Sequence, residues 1–310
     1  MKKKTRKRLF RLIICTCLLW FAGLFNPIAN LHFYIDQSNP LNYDLNSDLI
    51  ELCDNESVNV KELSIKRTSA GIGAKTLIAI NPPRVRVITF KQNQNNFEIA
   101  FSEGGLTSRK NVGGDVAFSV NSNFYDTEQK TLGEVIVNGE QHGYETGSSG
   151  YFKVIDGKAY VGPRSLFEGN SGNIEFACQA HPSVMKDGII WPYILNETMN
   201  KTSWGRKTYR NLGGMDKEGN IVFVLSGDGA LLSVKEISEI ALDLDVQTAT
   251  LFDAGSSLQY TLKTKGCRLN FAAYNNQMSF GPKYDYWFKE KTGYRFYNTA
   301  PVFINYSYID

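Results

Sequence analysis

The sequence predicts an α+β fold, a strand-rich mixed sheet with few helices and one strand-helix-strand unit. Three observations carry that expectation. Apolar residues alternate with polar ones at Val85, Val87 and Phe90, at Phe97, Ile99 and Phe101, and at Val116, Phe118 and Val120, which is the period of a half-buried strand. Asn138-Gly139, Asp156-Gly157, Asp187-Gly188 and Glu218-Gly219 separate apolar runs with residues suited to tight turns. The one well-marked helix starts at Ser233, where Ser233 and Glu236 have capping-box spacing and Val234, Ile237, Ile240, Ala241 and Leu244 recur at helical intervals.

At the N-terminus, Lys2, Lys3, Lys4, Arg6, Lys7, Arg8 and Arg11 precede Leu12 to Phe25, an apolar stretch whose only plainly polar member is Thr16. A basic flank followed by a short apolar run is the pattern of an export segment. Its length is nearer a signal h-region than the roughly 20 residues of a spanning helix. Pro27 and Ala29 only approximate a cleavage site, so residues 1–30 are expected to be a signal peptide or a membrane anchor. In the second case, residues 12–29 would tether an exported periplasmic or cell-surface body to the inner membrane, basic end inside. Residues 31–62, rich in Asn, Asp and Ser with weak periodicity, read as a spacer. Residues 63–310 then form one domain, since no Pro/Ser-rich linker divides them.

The formal charge of +3 conceals the character of this body. Seven cations lie before position 12, leaving 27 basic against 31 acidic residues and a net of −4 for the rest. That excludes a nucleic-acid footprint. Of the five cysteines, Cys53, Cys178 and Cys267 lie in the body; the odd number leaves at least one unpaired, and no C-x-x-C is present. P-loop, G-x-S-x-G, H-E-x-x-H and EF-hand patterns are absent. No cofactor is expected, and a divalent cation finds no support in the residues.

Ile221–Leu225 is an apolar run of strand length, ended by Ser226, Gly227, Asp228 and Gly229; the Ser233 helix follows, and Thr248–Phe252 is the next β-branched run. This unit puts Asp253, Ala254, Gly255, Ser256 and Ser257 at the carboxyl end of its second strand, where α/β sheets commonly hold ligands. An Asp that merely opens a turn is the plainer alternative.

Four blocks together resemble the phosphodiester glycosidase family. Asn121-Ser122-Asn123-Phe124-Tyr125-Asp126 is similar to its N-x-x-F-F/Y-D block, and Ala177 to Val184 with Asp187-Gly188 to its Q-x-G-P-x-L block ahead of a D-G turn. Arg210-Asn211-Leu212-Gly213-Gly214-Met215-Asp216 is similar to R-T-A-x-G-x-D, and Phe252 to Ser257 to L-D-G-G-G-S. The resemblance covers about residues 85 to 265. Ala254 and Ser256 stand where Gly is usual, Asn211 where Thr is, and His181 where Gly is. Ala takes positive φ only at a cost, so the expected consequence is a reshaped Asp253 loop, with altered substrate or lost turnover.

The resemblance implies a hydrolase that cleaves a sugar 1-phosphate linkage in an envelope polysaccharide or glycolipid. Asp253 would be nucleophile or base at an oxocarbenium-like transition state, and Arg210 would grip the phosphate bidentately. Asn121 and Gln179 offer amides for sugar or phosphate oxygens, and the backbone at Gly255, Ser256 and Ser257 an anion nest. His181 stands near Gln179 as a further candidate contact. Each has a plainer alternative: Arg210 in a surface ion pair, Asn121 bonding its own backbone, Gln179 solvated, His181 without a catalytic partner. Asp126, Asp216 and Asp228 compete for the second carboxylate. The aromatic run Tyr284, Tyr286, Trp287, Phe288, Tyr294, Phe296 and Tyr297, with Phe303 and Tyr306, reads as core strands or as sugar-stacking surface. The rival reading is a non-catalytic carbohydrate-binding or envelope-assembly protein on the same scaffold.

Overall fold

The computed structural model describes residues 3–21, 29–34, 40–67, 83–91, 96–196, 205–227, 229–273, 277–279, 285–290 and 298–308. Strands dominate. An eight-stranded sheet runs in spatial order through Ile189–Ile190, Ser183–Lys186, Val246–Leu251, Asn211–Asp216, Ile221–Ser226, Arg84–Phe90, Val58–Ser64 and Leu49–Asp54. A five-stranded sheet orders Cys267–Ala272, Gln259–Thr264, Val116–Asn121, Ala300–Ser307 and Phe97–Leu106. Another orders Glu140–Gln141, Val135–Val137, Ile174–Ala180, Gly150–Ile155 and Lys158–Pro163.

Every strand pair among the described residues is antiparallel, which corrects the expected mixed sheet. The reason lies at the helix Val234–Asp243. It joins Ile221–Ser226 to Val246–Leu251, but Asn211–Asp216 lies between those two strands and pairs antiparallel with both. The helix begins with the capping box read from the sequence: Ser233 Oγ accepts from the Glu236 amide at 3.2 Å, and Glu236 Oε2 accepts from the Ser233 amide at 2.8 Å.

Two apolar layers flank the large sheet. On one face Ile221, Phe223 and Leu225 join Ile88, Phe90, Phe118, Phe152 and Tyr306 in a core enclosed by the two five-stranded sheets. On the other, Val222 and Val224 pack with Leu212, Leu251 and the helix residues Ile237, Ile240 and Ala241. Burial on both faces is why Ile221–Leu225 shows no alternation.

Asn138-Gly139, Asp156-Gly157 and Asp187-Gly188 each take positive φ at both residues and close antiparallel hairpins, the geometry of a type I′ turn. Glu218-Gly219 differs. Only Gly219 is left-handed there, and Asp216 Oδ1 organises the turn by accepting from the Glu218 and Asn220 amides, each at 2.9 Å.

The stretch expected to be a spacer carries two strands of the large sheet. Val58, Val60 and Leu63 are fully buried, and Val58–Ser64 pairs along its whole length with Arg84–Phe90. A boundary at residue 62 therefore cuts through a strand. The short alternation Val58, Val60, Glu62 is masked because Glu62 is itself buried, paired with Arg84 at 2.9 Å and with Arg86.

Residues Lys3–Phe21 form a single helix. Among the described residues no helix is long and apolar enough to cross a membrane, and the tether through residues 12–29 has no support.

Cys53 and Cys267 form a disulfide that ties the edge strand of the large sheet to the edge of a five-stranded one, with their Cα atoms 5.8 Å apart. Cys178 is free and buried. Phe303 and Tyr306 are core residues. Tyr286, Trp287 and Phe288 lie on a strand, Asp285–Glu290, paired with Ala29–Tyr34, whereas Tyr284, Tyr294, Phe296 and Tyr297 fall outside the described residues, as does Asp228.

Candidate active site

Three strand ends converge on Asp253. Val246–Leu251 leads into it, Asn211–Asp216 starts beside it, and Val116–Asn121 ends against it. The Asp253 amide donates to Ser122 O at 2.7 Å, the Phe252 amide to Asn211 O at 2.9 Å and the Gly255 amide to Tyr209 O at 3.0 Å.

Two buried asparagines lock this crossing. Asn121 Nδ2 donates to Asp253 O at 3.0 Å, while Asn121 Oδ1 accepts from the Gln259 amide at 2.9 Å. Asn211 Nδ2 donates to Asn121 O at 2.7 Å and to Asp253 O at 3.3 Å. Both residues are wholly inaccessible. Asn121 is thus a positioning residue whose amide is spent on backbone. Asn211, read from the sequence only as a departure, does the same work; a Thr hydroxyl is too short to bridge both carbonyls in this manner.

The Asp253 carboxyl is buried although part of the residue reaches the surface, and Oδ2 has no hydrogen-bond partner. Burial pushes its pKa up to about 7, against the lowering influence of the Ser257 hydroxyl and the Ala254 amide. Tyr125 stands on the same side. Its hydroxyl donates to Ser257 Oγ at 3.2 Å, and its pKa is raised by burial and by the Asp253 charge. Around this group both amide atoms of Asn123 and Asn211 Oδ1 are also buried without partners, while the Ser122 hydroxyl faces the Cys178 thiol. Buried polar atoms are almost always paired, so such a concentration marks a place prepared for a ligand or for water. Tyr125, Ser122 and Asn123 lie within the Asn121–Asp126 block but were not singled out. The signal that could have found them is their position directly after a strand that ends in a buried Asn.

Other candidates sit differently. Gln179 is buried and saturated: Oε1 accepts from the Glu134 amide, the Thr146 amide and the Thr146 hydroxyl, and Nε2 donates to Thr146 O and Ser148 O. It pins a loop and has no capacity left for substrate. His181 lies beside Asp253 through the backbone, its amide donating to Leu251 O at 3.0 Å, and its Nδ1 is 3.3 Å from Ser149 Oγ. Burial lowers its pKa, which keeps the ring neutral near pH 7.

Arg210 turns toward the helix side. Its Nε donates to Leu232 O at 2.9 Å and Nη2 to Arg206 O at 2.6 Å. Burial brings its pKa down to about 10, with Glu236 opposing and Arg206 reinforcing the change. Two guanidinium nitrogens committed to carbonyls leave no free bidentate fork in this conformation, contrary to expectation.

Of the three amides of the expected anion nest, those of Gly255 and Ser257 are engaged within the chain. The Gly255 amide is spent on Tyr209, the Ser257 amide donates to Ala254 O at 3.2 Å, and a short 3₁₀ turn spans Gly255–Ser257. Gly255 takes φ +65°, whereas Ala254 sits at φ −150°, outside the left-handed region. The left-handed position falls one residue after Ala254, on a glycine, so Ala254 is not asked for positive φ. Asp126 and Asp216 each organise a turn through their own carboxylates, Asp126 accepting from the Glu128 and Lys130 amides.

The phosphodiester glycosidase family matches residues 114–281, more than half of the chain and all of the Asp253 crossing. The chain belongs to the phosphodiester glycosidase family. The uncharacterized protein YigE of Escherichia coli K12 is 30% identical over 157 residues, covering 47% of this chain and 59% of that relative. This chain therefore spans less than two thirds of that relative's length. Among solved structures, the zebrafish N-acetylglucosamine-1-phosphodiester alpha-N-acetylglucosaminidase catalytic domain, auto-inhibited by its pro-peptide, superposes with a TM-score of 0.56 at 12% identity. The superposition covers 91% of this chain and 89% of that one. At that identity the likeness is one of fold.

Proposed function

We propose that this phosphodiester glycosidase family member hydrolyses the bond between an anomeric carbon and a phosphate oxygen, with Asp253 as the general base. What supports the reading is the carboxyl of Asp253, buried without a partner for Oδ2 and poised at about 7, the range in which a base is both available and strong at neutral pH. Water attacks the anomeric carbon, its proton passes to Asp253, and the C–O bond breaks with its electron pair leaving on the phosphate monoester. Such a leaving group is already acidic and needs little protonation. The unpartnered amide of Asn123 contacts sugar or phosphate oxygens in this reading. Arg210 contributes positive charge near the phosphate from behind the backbone; its pKa of about 10 keeps it charged.

We place the reaction outside the cytoplasm, on an envelope polysaccharide or glycolipid. The basic N-terminal flank and the Cys53–Cys267 disulfide favour that compartment, since disulfides persist where thiols are not held reduced. One motive for the binding-module alternative weakens, because Ala254 is not at a left-handed position; the Ser256 departure remains.

The test is release of free sugar by the purified chain from a panel of sugar phosphodiesters, including nucleotide sugars, with Asp253→Asn in parallel. Release that vanishes in a folded Asp253→Asn protein supports the assignment. Equal release by both overturns it.

A further inference from the structure

Beyond the Asp253 turn, a cleft of about 210 Å³ opens between Glu134, Glu145, Tyr151, Lys153, Arg164 and Phe167. It lies on the face of the Gly150–Ile155 strand opposite Phe152 and Val154, which point into the core. At its base Lys153 is only 9% exposed, yet its nearest acid, Glu134, is 3.8 Å away. That distance exceeds a hydrogen bond. The ammonium instead lies 4.1 Å from the Tyr151 ring centroid and 5.4 Å from that of Phe167. With 11% of its side chain exposed and only a long ion pair to Glu134, this ammonium can still present donors to a ligand in the cleft, and burial lowers its pKa against the raising influence of Glu134. Glu145 is held by Arg164 and by the Tyr151 hydroxyl at 3.0 Å. Glu168, exposed at the rim, completes the lining.

The charge balance selects the ligand. Three carboxylates against two cations leave the cleft negative, which disfavours a phosphate or carboxylate, while carboxylates accept from hydroxyls and Lys153 donates to them. The half-buried ring of Phe167 adds an apolar wall. A volume of about 210 Å³ falls below the roughly 300–1,000 Å³ typical of drug-sized ligands, so one ring fits and a chain of rings does not.

We propose that this cleft binds a single neutral sugar ring, a subsite for the glycan that carries the phosphodiester. The proposal rests on the reading of the substrate as a glycan and deepens it. Glu145 and Ser149 belong to the same loop, pinned by Gln179 through Thr146 and Ser148; Glu145 lines the cleft and Ser149 touches His181. One loop therefore borders both places.

The experiment is saturation-transfer NMR on the full chain at millimolar methyl glucoside, methyl mannoside and methyl N-acetylglucosaminide, with methyl glucuronide and methyl phosphate as anionic arms. Transfer to at least one neutral glycoside is expected. It should persist in Asp253→Asn and fall at least fivefold in Lys153→Met and Phe167→Ala. If Lys153→Met does not fold, Phe167→Ala decides alone, since its ring lies at the cleft wall and not in the core. The proposal is overturned by no transfer to any neutral glycoside, by preference for the glucuronide or phosphate, or by binding lost in Asp253→Asn and kept in Phe167→Ala. Because Asp253→Asn abolishes turnover and not cleft binding, failure here is separable from failure of the hydrolase reading.

Discussion

The side-chain amide of Asn211 donates to the main-chain carbonyl of Asn121 at 2.7 Å, joining two residues 90 positions apart beneath the Asp253 turn. Asn121 returns the link by donating to the carbonyl of Asp253 itself. The carboxyl proposed as the base is thus held in place by two amides that bond to backbone.

Asn121→Ala and Asn211→Ala should each destabilise by about 1–3 kcal/mol, the cost of leaving buried groups unpaired. Both act on the Asp253 carbonyl, so their effects should be non-additive in a double-mutant cycle. Urea denaturation measures this, and strict additivity would contradict a shared lock. Turnover in either variant should fall through kcat, with KM little changed.

Asp253 sets a pH dependence of stability. Its folded pKa of about 7 exceeds the unfolded value near 3.9, so between those values the folded state holds a proton that the unfolded state has released. Stability is then greatest below about pH 4, as far as this group is concerned, and is lost as pH rises through about 7. Thermal melts should show a loss over that window in the wild type and a flatter profile in Asp253→Asn. The same ionisation should make turnover rise through pH 7, since the base works deprotonated.

Gln179→Leu removes the donor and acceptor that hold Thr146 and Ser148. Amide exchange in residues 143–149 should accelerate by tenfold or more, while the Ile221–Ser226 strand stays protected. Unchanged exchange in the loop would mean that Gln179 is not its anchor.

Reduction should weaken the protein as a whole. The Cys53–Cys267 bond spans 214 residues, and long loops gain most from closure, typically about 2–4 kcal/mol. Dithiothreitol should lower the denaturation midpoint of the wild type and leave Cys53→Ser/Cys267→Ser unaffected. Burial pushes the Cys178 thiol up to about 12, so it should resist alkylation until the chain unfolds.

Much of this architecture was legible because local chemistry and tertiary structure agreed. The Ser233 capping box, the Asn-Gly and Asp-Gly turns and the alternating strands needed only their own neighbours. The crossing at Asp253 was legible as a place, since an apolar β-branched run ended in small residues there. What was hidden depends on partners remote in sequence. Asn121 and Gln179 have the residue type of ligand contacts, and nothing local distinguishes an amide that meets sugar from one that meets backbone. The carbonyls they satisfy come from residues 132 and 31–33 positions away. Arg210 was misplaced for a similar reason, its carbonyl partners arising from a turn and a helix approach that no periodicity reveals. The strands before residue 64 escaped notice because a buried, ion-paired Glu62 looks polar in one dimension.

Ala300–Ser307, which follows the site residues in sequence, is an interior strand, seated between Phe97–Leu106 and Val116–Asn121. A ribosome finishes this strand only after everything that surrounds it has been synthesised. Until then the strand that carries Asn121 has an open edge, and the active-site crossing lacks its support. A product truncated before residue 300 would therefore leave that edge bare even with Asp253, Asn121 and Asn211 all present.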